Sequence, residues 1–151
     1  MKVSARAQFD YIAESLDAGI REELFKRAVQ VATKLHNAEL DVLAGERHGR
    51  KHERLPNRSS APGEPPATQL GDLREYWNER PPIRQGNGHF ARFISRIESG
   101  KENEEYAALL EKGTSNIEPR PYVERILKKA EPEIIEIYGE PYSSCIKLSK
   151  G

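Results

Sequence analysis

The chain has a single cysteine, Cys145, among 151 residues. No internal disulfide can form, which fits folding in a reducing compartment. No His-bearing motif surrounds Cys145, so it reads as a small residue of a C-terminal strand or tail. Apolar material is scarce too: hydrophobic residues are 36% and charged ones 32%, with a mean hydropathy of −0.77. Ordinary domains run about 45–50% apolar, counting glycine. Either part of the chain is an unpacked loop, or other subunits complete its burial, and both can hold. Net charge is missing as well, because 24 cations face 24 anions. That excludes the overall basic footprint of a nucleic-acid binder and leaves charge only local roles. No run approaches the ~18 apolar residues of a membrane span. The opening MKVSARAQFDYIAESLD lacks the apolar centre of a secretory signal.

Catalytic signatures are lacking as well. SGKEN at 99–103 has neither the upstream glycine nor the Ser/Thr of a phosphate-binding loop. There is no G-x-S-x-G elbow and no Cys/His cluster at zinc spacing. His48 and His52 are four apart, but Gly49 separates them and Arg50, Lys51 and Arg54 repel a cation. No catalytic residue, cofactor or metal is expected.

What is there begins with a helix over 17–44. Leu16, Ile20, Leu24, Ala28, Val31, Leu35, Ala38 and Val42 recur at spacings of three and four and form one stripe. Asp17 suits the N-cap, Glu22 and Glu23 suit the positive end of the dipole, and Gly45 suits the stop. The stripe, about 40 Å long at ~1.5 Å per residue, needs a sheet or another helix to rest on. Residues 45–68 carry no period and hold three prolines between Pro62 and Pro66. They read as a long exposed loop, and such loops tend to be functional. Over 46–58, Arg47, Arg50, Lys51, Arg54 and Arg58 against Glu46 and Glu53 give a local charge of five minus two, or +3.

Residues 69–79 are ambiguous between strand and helix, and Pro81 and Pro82 are expected to end them. A turn at Gly86-Asn87-Gly88 then leads into a strand with Ala91, Phe93, Ser95 and Ile97 on one face and Arg92 and Arg96 on the other. Glu104–Lys112 is a short helix stopped by Gly113. Pro119 and Pro121 make 114–120 extended, and Pro121 suits the first position of the next helix. That helix carries Val123, Ile126, Leu127 and Ala130. Pro132 kinks it or starts another with Ile134, Ile137 and Tyr138, before Gly139 and Pro141 end it. The fold expected is α+β: a long N-terminal helix on a small antiparallel sheet, a C-terminal helix and a long extended loop. Residues 1–151 are read as one domain, with 69–138 as sheet and helices and 139–151 as tail or edge strand.

Two blocks carry a resemblance. APGEPPATQLGDLREYW contains Gly71, Leu73 and Arg74, and YAALLEKGTSNIEPRPYVERIL contains Tyr106, Ala107, Glu111, Gly113, Thr114, Pro119, Arg120, Pro121 and Tyr122. In type, order and spacing they resemble the two signatures of a bacteriophage tail-component family, the neck and tail-completion (head–tail joining) proteins of long-tailed phages. The second block is the specific one. The first departs where Gln69-Leu70 separates Thr68 from Gly71, and where Glu75-Tyr76 follows Arg74.

The resemblance implies a virion structural subunit, assembled in the host cytoplasm and not an enzyme. It forms a homo-oligomeric ring at the head–tail junction or the tail's upper end. Its neighbours are head-closure or portal-side proteins and tail-tube or tail-terminator proteins, and DNA passes through the lumen without specific binding. No membrane is involved. A ring subunit needs heterologous edges that close after a fixed rotation. The arm at 114–120 and the loop at 45–68 are the segments expected to supply inter-subunit contacts. Three other readings stand beside this one: a tail terminator capping the tube, a small regulator gripping nucleic acid with 47–58, and a hydrolase whose site motifs do not reveal. The blander reading of Trp77, Tyr106 and Tyr122 is half-buried core with a polar tip. That of Gly71 and Gly113 is turn glycine, and that of Glu111 a satisfied helix-end carboxylate.

Overall fold

The computed structural model describes residues 5–69, 71–87, 92–100 and 103–143, leaving aside the side chains of 5–16 and of Asp72. In chain order these form helix α1 (Ala5–Ala44), helix α2 (Asp72–Tyr76), strands β1 (Asn78–Gln85) and β2 (Arg92–Glu98), helix α3 (Glu104–Lys112) and helix α4 (Val123–Gly139). The fold is α+β, with the long N-terminal helix, the antiparallel pair and the C-terminal helix that the sequence leads one to expect.

α1 is longer than its apolar stripe. It starts at Ala5, so Asp17, Glu22 and Glu23 lie in its interior and Asp17 is not its N-cap. Asp17–Arg21, Glu22–Lys26 and Glu23–Arg27 form ion pairs one turn apart, and such acid-before-base pairs support a helix through positions that otherwise read as a start. At 40 residues the helix spans about 60 Å. Its stripe buries Ala28, Val31, Leu35 and Ala38, joined by Ala32 and Leu43, while Ile20 stays exposed.

The other elements lie along two flanks of α1. On one flank α4 packs Ile126 and Ala130 into the core, and Lys34–Glu133 (2.8 Å) and Lys129–Asp41 (3.4 Å) tie the two helices along their edge. On the other flank lies the hairpin. Phe93 meets Phe25 edge-on at 5.6 Å, and the Ser95 hydroxyl donates to the Ala28 carbonyl at 2.7 Å. Ile97 reaches the core cluster. So Phe93, Ser95 and Ile97 face the helix as their alternation requires; Ala91, Leu70, Gly88, Cys145 and the tail from 144 lie outside the described residues.

Two prolines behave otherwise than expected. Pro81 and Pro82 do not end a segment but lie inside β1. The register slips by one residue between Arg80 and Ile83, so the sheet absorbs two residues that cannot donate to its ladder. Pro132 sits within a single helix. Among the described residues the core is slight, since half of the buried apolar residues are alanines: Ala28, Ala32, Ala38, Ala107 and Ala130.

Candidate interface site

The second motif block folds back on itself. Gly113 ends α3 with φ 75°, and a Cβ there would stand 2.7 Å from the Ile117 carbonyl oxygen. Only glycine fits both the angle and the space. The Thr114 hydroxyl then accepts the N–H groups of Asn116 (3.2 Å) and Ile117 (3.1 Å), and the Thr114 N–H bonds the Ile117 carbonyl at 2.8 Å. Residues 114–117 are therefore a closed turn and not part of an extended arm. The prolines restrict the residues before them, but they leave Thr114 free to seed a side-chain turn.

The chain returns to α3 at once. The Arg120 N–H bonds the Leu110 carbonyl at 2.9 Å. Pro121 is not the first residue of α4, which starts at Val123. The cap comes from α3 instead: the Glu111 carboxylate accepts the N–H of Tyr122 (2.8 Å) and of Val123 (3.2 Å), satisfying donors that a helix start leaves orphaned. The Tyr122 hydroxyl donates to the Ala107 carbonyl at 3.2 Å, and its ring meets Trp77 edge-on at 6.3 Å. Tyr122 is 1% exposed, and burial pushes its hydroxyl pKa up. Glu111, Gly113, Thr114, Arg120 and Tyr122 thus each have an intramolecular task. Pro119 and Tyr106 are exposed.

The first block lies beside it. Gly71 takes φ 93° to start α2, and Leu73 packs against the core. A cavity of about 200 Å³ brings the two blocks together, with Gly71, Leu73 and Arg74 on one side and Tyr106 on the other. Behind it lies a group that sequence reasoning passes over. Glu39 is fully buried. Among the described residues neither of its carboxylate oxygens has a hydrogen-bond partner, nor do Arg74 Nε and Trp77 Nε1, though the His36 ring stands 3.9 Å from Glu39 Oε2. Desolvation, opposed by the Arg74 charge, lifts the Glu39 pKa to about 8.

The loop at 45–68 is exposed over 50–58, as expected, but its ends are tied to the body. Arg47 turns inward: Nε donates to the Pro65 carbonyl at 2.8 Å, and Nη2 to Val42 at 2.8 Å and Pro66 at 3.0 Å. It serves the carbonyls that the end of α1 leaves without partners. Burial lowers its pKa. Lys51 donates to the carbonyls of Leu55 and Pro56, and Arg58 to that of Gly49. Arg50 and Arg54 are exposed and make no side-chain bond among the described residues. Glu64 closes the loop by accepting the N–H of His48 (3.0 Å) and Ala61 (2.8 Å). These bonds, with the His48 ring, depress its pKa to about 2. Arg120 and Arg125 then pin the loop to the second block through the Ser60 (2.9 Å) and Gly63 (2.8 Å) carbonyls.

Arg27 is a second inward arginine that the sequence reading did not single out. It is 2% exposed and gathers the end of α4, with Nη1 on Glu140 (2.7 Å) and Nη2 on Pro141 (3.1 Å). The Tyr142 ring lies 4.0 Å from its guanidinium carbon. The Glu23 hydrogen bond raises its pKa. Both Arg27 and Glu39 have a legible signal: each stands on the apolar stripe, Arg27 four before Val31 and Glu39 four after Leu35.

No family model, curated protein or solved structure matches the chain. No described helix is long and apolar enough to cross a membrane.

Proposed function

We propose that the protein is a ring-forming neck or tail-completion subunit of a long-tailed bacteriophage, a virion component that joins head to tail and performs no catalysis. The observation that carries this reading is where the large apolar side chains lie. Ile83, Ile94, Leu127 and Ile135 are 44%, 39%, 51% and 65% exposed, while the interior is half alanine. A body built this way gains burial by association. The two blocks that carry the resemblance also fit an assembly part. Their residues fix a rigid junction between loop, α2, α3 and α4 instead of converging on a substrate.

The loop's basic residues do not favour the nucleic-acid reading, because Arg47, Lys51 and Arg58 are spent on the chain's own carbonyls. The test is to image particles assembled without this protein. Full heads beside separate finished tails support the reading, and tails of abnormal length make the subunit a terminator. Ordinary joined virions overturn both.

A further inference from the structure

Five buried side-chain nitrogens and oxygens lack a hydrogen-bond partner among the described residues, and four of them belong to Glu39, Arg74 and Trp77. Chance would scatter such atoms; here they gather where α2 meets α1. Glu39 stands on the apolar stripe of α1, one turn after Leu35 and one turn before Leu43, and all three are buried. Leu43 lines the same cavity as Leu73 and Arg74, so α2 rests on α1 one turn beyond Glu39. Leu73 and Trp77, four apart, are the side chains that hold α2 and its C-terminal end against the core.

Little around the Glu39 carboxylate is arranged to hold a charge. On α1 itself the His36 ring stands 3.9 Å from Oε2, but its other nitrogen turns to Glu79 of β1 at 3.4 Å. From α2 the Arg74 charge reaches Glu39 without a bond to it. From the start of α4 the Tyr122 hydroxyl feels the Glu39 charge, yet it donates to the Ala107 carbonyl. Glu111 of α3 bears on Tyr122 and is engaged in capping α4. Desolvation therefore prevails over Arg74, and the carboxyl keeps its proton up to about 8. Once that proton leaves, the buried charge must find water.

α2 is the element that can yield. It is five residues long, is entered through Gly71 at φ 93° and is left through an extended Trp77, and a helix so short does not hold itself. α4 grips α1 independently through Ile126 and Ala130. Lifting α2 hydrates Glu39, Arg74 Nε and Trp77 Nε1 in one movement, at the cost of uncovering Leu73 and Trp77. We infer that α2 is a proton-controlled latch, docked on α1 while Glu39 is neutral and lifted when Glu39 becomes charged, which opens the cavity between the two motif blocks. The latch works within one subunit and does not depend on assembly. Its sign follows from linkage. The docked carboxyl titrates near 8 and a hydrated one in the ordinary carboxylate range, so the docked-to-lifted ratio falls as pH rises between those values and levels off above about 8.

Native-state hydrogen exchange on the full chain tests it, with protection corrected for the intrinsic effect of pH on exchange. The Glu75 amide, bonded to the Gly71 carbonyl at 3.1 Å, reports on α2, and the amides of α1 around Val31 report on the body. In the wild type, Glu75 protection is expected to fall about tenfold for each pH unit from pH 6 to about 8 and to flatten beyond, while staying below that of α1 throughout. Trp77 is the single tryptophan, so acrylamide quenching of its fluorescence is expected to rise over the same range. In Glu39→Gln both readouts are expected to be flat with pH. Arg74→Gln removes the charge that opposes desolvation, so the flattening is expected to move to higher pH. A mere loosening of α2 would weaken protection without moving that point.

Wild-type protection that is flat with pH overturns the latch, as does a Glu75 amide already unprotected at pH 6, because α2 would then not be docked. An equal fall in Glu39→Gln overturns it by placing the proton on another group. Equal protection at Glu75 and around Val31 overturns it by making α2 and α1 a single opening unit. A flattening point that Arg74→Gln leaves in place shows that Arg74 does not bear on Glu39 and overturns it too.

Discussion

The loop between α1 and α2 and the hairpin between β1 and β2 are both rich in arginine, and they use it in opposite ways. In the loop, Arg47 turns inward onto carbonyl oxygens and the exposed Arg58 donates to the Gly49 carbonyl. In the hairpin, Arg92 and Arg96 stand on the face away from the core. The difference lies in the backbone. The end of α1 and the Pro65-Pro66 pair present carbonyls without regular partners, and a planar guanidinium with five donors is the side chain that can serve several at once. In the hairpin alternation dictates which way each arginine points, and Arg96 reaches one carbonyl, that of Pro81 at 3.2 Å, where the register slips. Charge counting gives both segments the same description.

A pair of substitutions tests that contrast at its widest. Arg47→Ala strips the Val42, Pro65 and Pro66 carbonyls of their donor, and the expected loss is about 3 kcal/mol, from several charge-assisted bonds at ~1.5 kcal/mol or more each with partial repair by water. Arg92→Ala, on an exposed strand position, is expected to stay within about 0.5 kcal/mol. Urea midpoints at low protein concentration, where association does not contribute, measure both. Equal losses would mean that the loop arginine is as dispensable as the hairpin one.

Two glycines sharpen the comparison within the loop and the motif block. Gly113→Ala meets both a left-handed φ of 75° and a carbonyl at 2.7 Å, with an expected cost of about 3 kcal/mol or somewhat less. Gly63→Ala has a similar φ of 77° but open space around the new methyl, so only the conformational term of about 1 kcal/mol remains. A ranking of the two by thermal melting that puts Gly63 first would show that the turn after α3 relaxes more easily than its contacts indicate.

How much of this was legible beforehand follows the same division between local and non-local causes. α3 reads off the chain to the residue, because Gly113 stops it within the sequence itself. The inner face of β2 reads off as well, since alternation is local. Asp17 misleads because a cap and an i,i+4 acid look alike until the helix start is known. The arm at 114–120 misleads because Thr114 closes a turn that the prolines merely permit. The carbonyl partners of Arg27 lie over a hundred residues away, and no local pattern announces them. What the sequence does show at Arg27 and Glu39 is a charged residue on an apolar stripe, which is a signal in its own right.

Two carboxylates, the buried Glu39 and the half-buried Glu64, differ as the two arginine segments do. Glu39, buried on α1, has no hydrogen bond to its carboxylate among the described residues and a pKa raised to about 8. Between the ordinary carboxylate value and about 8 the folded state holds a proton that the unfolded chain has released. Stability therefore falls as pH rises through that window. Glu39→Gln removes the titration. Its melting temperature is expected to exceed that of the wild type increasingly from pH 5 to pH 9, and parallel curves would mean that Glu39 finds a partner in solution.

Glu64 titrates with the opposite sign and gives the smallest effect, none of it at neutral pH. Its folded pKa of about 2 lies below that of the unfolded chain. The stabilisation it provides is complete above the ordinary carboxylate range and is lost as pH falls toward about 2. The loss should be local before it is global, because the bonds at stake are the N–H groups of His48 and Ala61 in a loop that other contacts also hold. Hydrogen-exchange protection at those two amides is expected to drop on acidification in the wild type while α1 stays protected, and in Glu64→Gln it is expected to be low and flat with pH. Simultaneous loss at the loop and at α1 would mean that the loop and helix open as one unit, making the closed loop part of the core.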